Sequence, residues 1–144
     1  MKKTYSYLIY IGSIPFILCA VYFIADLHDI PLLVSIERIL SAYGLVILSF
    51  LAGSHWGQHL YLNKVIWGRV LAVMSNIITL SLWFGFLLLN FKMLMALFAS
   101  VFFILIVIDY YLYLINLISL HYFQIRFLVS VIVIISLIIS GIAS

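Results

Sequence analysis

The chain has 144 residues, of which 68% are apolar and 8% charged, and its mean hydropathy is +1.37. Soluble domains run at about 45–50% apolar and about 25% charged, so too few charged side chains are present to wet a surface. Soluble enzymes, disordered tails and disulfide-stapled secreted domains are excluded. The seven Lys and Arg report membrane orientation rather than a nucleic-acid ligand.

The charges punctuate the chain into long uncharged tracts. Residues 5–25, 39–62, 70–89, 93–114 and 127–144 read as five spans, each close to the roughly 20 residues needed to cross about 30 Å of hydrocarbon. Only Asp109 falls inside one of them. Backbone amides in lipid need internal partners, and barrel-type alternation is absent, so the spans are helices. The expected fold class is an all-α integral membrane protein, one five-helix domain over 1–144.

The first tract follows Lys2 and Lys3 and has the outline of a signal peptide. The remainder is just as apolar, so it reads as a first membrane anchor. Cys19 lies within it and is expected to pack as a small residue, because a single cysteine forms no intramolecular disulfide.

Counting Lys and Arg in the connections with the N-terminus inside puts Lys2, Lys3, Lys64, Arg69 and Arg126 on the inner face. Arg38 and Lys92 then fall outside. This bias predicts a cytoplasmic N-terminus and an outer C-terminus. Tyr5, Tyr7, Tyr61, Trp67, Tyr110, Tyr111, Tyr113 and Tyr122 gather at the same inner ends, as interfacial aromatics do. The outer loop carrying Asp26, His28, Asp29 and Glu37 reads as a solvated acidic segment rather than a cation site. Asn90, Phe91 and Lys92 alone join the third and fourth spans, which predicts a tight antiparallel hairpin.

The second span differs from the Leu/Ile/Phe tracts around it. At 100° per residue Ser49, Gly53 and Gly57 share a face, a small-residue stripe that lets a neighbouring helix approach closely. Ser54, His55, Gln58 and His59 cover the opposite side. Such a helix leaves little surface for lipid and is expected at the centre of the bundle. Buried polar groups need partners, and Asn76, Asp109, Ser130 and the Gly12–Ser13–Pro15 region lie at matching depth. The polar candidates are therefore His55, His59, Gln58, Asn76 and Asp109. For Asp109 three partners stay open: His55, Arg126 or inner water.

Catalytic readings of these residues are weak. His55 and His59 stand four apart, as zinc-protease ligands do, but Trp56 occupies the place of the general base. Metal or haem ligation needs a further ligand from another helix, so no metal or cofactor is expected. Ser54 has no recognisable elbow or oxyanion hole.

Gly-Ser-Ile-Pro-Phe at 12–16, Tyr-Gly-Leu-Val-Ile-Leu-Ser-Phe-Leu-Ala-Gly-Ser-His-Trp-Gly at 43–57, and Arg126-Phe127-Leu128 resemble a known family over nearly the whole chain. It comprises small multi-pass membrane proteins of proteobacteria carrying a conserved domain of unknown function, with a small mitochondrial transmembrane protein of animals among them. The resemblance implies that Tyr43, Gly44, Ser49, Phe50, Gly53, His55, Trp56 and Gly57 are signature residues, joined by Pro15 and Asp109. It also implies a bacterial inner-membrane location, and no assigned biochemistry. Where relatives carry a proline in the third span, this chain has Ser75-Asn76-Ile77-Ile78.

Two functions are compatible with these features. One is a non-enzymatic protein acting by lateral helix association, an assembly factor or accessory subunit with a membrane-protein partner or a second copy. The other is a small proton-linked carrier or a binder of quinone, haem or metal, using the His/Asn/Asp layer.

Overall fold

The computed structural model describes residues 2–25, 36–58 and 65–143, with side chains described for 7–25, 36–57 and 68–143. Among these residues five helices follow one another: α1 Lys2–Ile24, α2 Ile36–Gln58, α3 Val65–Leu88, α4 Phe91–Leu114 and α5 Leu120–Ala143. All five are long and apolar enough to cross a membrane, and no strand occurs among the described residues. Their outward faces carry Leu, Ile, Val and Phe, as an acyl-chain solvent demands.

The helices α1, α5, α4 and α2 form a ring, and α3 lies outside it against α2 and α4. At its centre Phe16, Leu48, Phe98, Phe102 and Leu137 bury almost completely. Phe16 meets Phe102 edge-on at 5.8 Å and Tyr43 at 5.1 Å. Apolar contact gains little over lipid here, so dispersion and close fit hold the ring together.

The connection between α3 and α4 is as short as expected. Asn90 caps α4, its side-chain oxygen accepting from Met93 N at 2.9 Å. Gly85 permits the close approach, since a Cβ there would collide with the Leu97 side chain. The connection from α4 to α5 is much shorter than the charges suggested. Asn116 adopts φ 63°, and the amides of Asn116 and Leu117 donate to Tyr113 O and Leu112 O at 3.0 and 2.9 Å. This is a Schellman end, in which asparagine tolerates the left-handed backbone. The chain turns at once, Ser119 Oγ accepts from Tyr122 N, and α5 begins at Leu120 rather than 127. Arg126 therefore lies inside α5, not at its boundary.

The expectation of a central α2 is corrected. Val46, Phe50, Gly53 and Trp56 are exposed. Half of α5's span is buried (50%) against 28% for α2. The residues that let α5 sit so deep include Ser130, Ser136 and Ser140, all buried, and Gly141, where a Cβ would stand 3.3 Å from Met95 Cβ.

A buried His–Asp–Arg triad as the candidate functional site

Three helices deliver one ionisable group each to a common point. His55 projects from the last turn of α2, Asp109 from the C-terminal part of α4 and Arg126 from the second turn of α5. The three residues are 2%, 2% and 6% exposed. Nε2 of His55 lies 2.7 Å from Oδ1 of Asp109. Arg126 Nε and Nη2 both approach the other oxygen, Oδ2, at 3.3 Å.

The two halves of the triad differ in kind. Nε2 of the imidazole bonds one oxygen of the Asp109 carboxyl, and the guanidinium faces the other. That bond has the length of a strong charge-assisted contact, whereas the guanidinium shares one oxygen at longer range instead of forming a fork. Several of its five N–H donors remain for another acceptor. On the far side of the ring, Nδ1 of His55 is buried and has no hydrogen-bond partner among the described residues. Leaving a buried polar atom unpaired costs about 1–3 kcal/mol.

Arg126 also forms part of the wall of a cavity of about 150 Å³ between α1, α2 and α5, with Phe102 of α4 also lining it. Gly12, Ser13, Phe16, Phe50 and Ser130 are among its other walls. The polar layer anticipated from depth thus divides. His55 and Asp109 form the charged centre, Gly12, Ser13 and Ser130 line the cavity, and Arg126 belongs to both.

The remaining sequence candidates fall elsewhere. Asn76 is exposed on α3 and donates to Ala72 O at 3.1 Å, so it does not join the layer. A polar residue at matching depth need not share the azimuth. His59 and the Gln58 side chain lie outside the described residues. Ser54 is half-buried, and among the described residues no serine or cysteine is hydrogen-bonded to the His55 ring. No group of three or more His, Cys, Asp or Glu able to hold a metal occurs among the described residues.

The expected packing stripe finds no close neighbour at Gly53 or Gly57 among the described residues. A Cβ at Gly53 or Gly57 would meet nothing within 4 Å, Gly53 is exposed, and Ser49 is half-buried. On α2 the glycine pressed by a neighbour is instead Gly44, whose Cβ would stand 2.6 Å from Phe98 Cε2. Beside it the Tyr43 hydroxyl donates to Gly12 O at 2.8 Å, tying α2 to α1. Phe50 and Trp56 are exposed, Cys19 is buried, and Pro15 is half-buried within α1. Sequence reading named Arg126 only as one possible partner. The signal was its spacing from Asp109, which puts both near the same end of adjacent helices.

These features define a polytopic five-helix membrane protein with a charged centre inside the bundle. Residues 1–142 match the model of a protein family of unknown function (DUF3429), and the chain belongs to that family. No curated protein and no solved structure matches it.

Proposed function

We propose that this protein binds the polar part of a small ligand within the bilayer, without covalent turnover, and that His55, Asp109 and Arg126 form its polar centre. The observation that carries this reading is the burial of three ionisable groups together, one with a nitrogen that has no partner among the described residues. Such a triad is a poor means of stabilisation. Desolvation offsets its attraction, and apolar residues of similar volume serve a bundle as well or better. Charged side chains inside a span point to function. The basic and aromatic residues at the triad's end support a cytoplasmic N-terminus, and the family resemblance supports a bacterial inner membrane.

The test compares the wild type with a combined His55→Leu, Asp109→Leu, Arg126→Met variant, both extracted into nanodiscs. Native mass spectrometry is read for co-purifying small molecules. A species retained by the wild type and absent from the folded variant supports the reading. Identical small-molecule complements overturn it.

A second reading, lateral association as an assembly factor or accessory subunit, is favoured by the outward position of Gly53 with open space above its Cα. A Gly53→Cys variant, cross-linked in native membranes, should give a discrete larger species. Recovery of the monomer alone counts against a partner at this face.

A further inference from the structure

We infer that the cavity between α1, α2 and α5 is a site for a neutral, oxygen-bearing ring on an apolar tail, a quinone- or phenol-type lipid, held by Arg126 and Ser130. This rests on the reading of the triad as a ligand-holding centre and names the ligand's class and place.

Size sets the first limit. A volume of about 150 Å³ is that of cavities which admit a single benzene ring. The enclosed part takes one ring rather than a porphyrin or a bulky polar headgroup. The walls suit a flat ring, because Phe16, Phe50 and Phe102 contribute aromatic faces and edges and most other lining residues are aliphatic.

Gly12 keeps this space open. It lines the cavity, and a Cβ there would meet nothing within 4 Å. The hollow thus begins at the backbone of α1. Its carbonyl is already engaged by the Tyr43 hydroxyl at 2.8 Å, which holds α1 and α2 together beside the hollow without filling it.

The polar atoms fix the head chemistry. Arg126 and Ser130 stand one turn apart on α5, offering N–H donors and a hydroxyl. Ser13 also lines the cavity, but its hydroxyl donates to Tyr10 O at 2.7 Å. Asp109 already balances the guanidinium charge, so an added anion would be buried without compensation. A carbonyl or phenol oxygen needs only a donor. Depth gives the same answer. Arg126 lies six residues inside α5 from Leu120, about 9 Å along the axis at 1.5 Å per residue, below the level at which a phospholipid phosphate rests.

The tail has a way out. The α1–α2 side is the loosest of the ring, and Leu8 and Phe50, one from each helix, both line the cavity and are exposed. A ligand oriented with its ring at Arg126 leaves between them into the acyl chains.

The probe is decyl-1,4-benzoquinone, offered to the protein in nanodiscs and read by native mass spectrometry. Decylbenzene, with no oxygen, and decanoate, with a charged head, serve as comparisons. One quinone per chain is expected, retained about tenfold or more over decylbenzene, the margin of a hydrogen bond to a charged donor. Gly12→Leu should fill the hollow and weaken quinone binding about tenfold or more, and Ser130→Val should weaken it less.

A photoreactive azido derivative of the same quinone should label peptides covering 8–16 and 126–133, a readout independent of any variant's folding. Equal retention of decylbenzene, preference for decanoate, or labelling confined to other segments overturns the inference. If the wild type ignores the quinone yet carries another molecule that the triad variant lacks, this inference falls and the proposed function stands. If quinone binding depends on Gly12 and Ser130 while the triad variant keeps every co-purifying species, the proposed function falls instead.

Discussion

Nε2 of His55 and Oδ1 of Asp109 stand 2.7 Å apart across 54 positions of sequence, joining the ends of two helices that run in the same direction. The carboxylate also faces Arg126, so each member depends on the others for its burial. Removing one strands the rest. Asp109→Leu alone should cost about 3–5 kcal/mol by leaving Arg126 without a counter-charge. The apparent unfolding temperature in mild detergent checks this. The combined His55→Leu, Asp109→Leu, Arg126→Met replacement should restore most of the loss. A triple variant as unstable as the single one would mean that the triad is itself the stabilising element.

Gly44 and Gly53 should respond in opposite ways to an added methyl. At Gly44 the new carbon would stand 2.6 Å from Phe98, and overpacking of a tight contact costs about 1–3 kcal/mol. Phe98→Leu should partly rescue Gly44→Ala. At Gly53 there is open space, so Gly53→Ala gains helix propensity, up to about 1 kcal/mol. Comparison of unfolding temperatures for the pair decides the matter, and a more harmful Gly53→Ala would mean that its face is covered.

Tyr43→Phe deletes the bond to Gly12 O while leaving the ring against Phe16. The expected loss is about 1 kcal/mol, the usual net worth of one hydrogen bond. A much larger fall in unfolding temperature would show that this contact holds α1 in place.

Asn116 carries the left-handed backbone that ends α4. Asn116→Gly should be tolerated, whereas Asn116→Val should cost about 1–2 kcal/mol, because a β-branched side chain clashes there. Limited proteolysis between α4 and α5 should report the difference as faster cleavage of the valine variant. Equal rates would remove the special role of this turn.

The spans were legible because hydropathy and length decide membrane crossing almost alone. Residue type and depth bring His55 and Arg126 into reach of Asp109 but leave the choice between them and inner water open; the carboxyl meets both. Direction around the helix axis was not legible. Period shows that Ser49, Gly53 and Gly57 share a face, but lipid and a neighbouring helix are both apolar, so the pattern does not say which of them that face meets. Asn76 was misplaced for the same reason. Arg126 looks like a boundary in the sequence because a lone cation belongs at the interface, a rule suspended when an acid seventeen residues away pairs with it.

That last helix has a consequence for biogenesis. Synthesis delivers α2 and α4 before α5, so the acid enters hydrocarbon while its cationic counterpart is still to come. Until then the imidazole is its only companion in the triad. Arrival of α5 then sets the guanidinium against the carboxylate and ties α2, α4 and α5 together at one point.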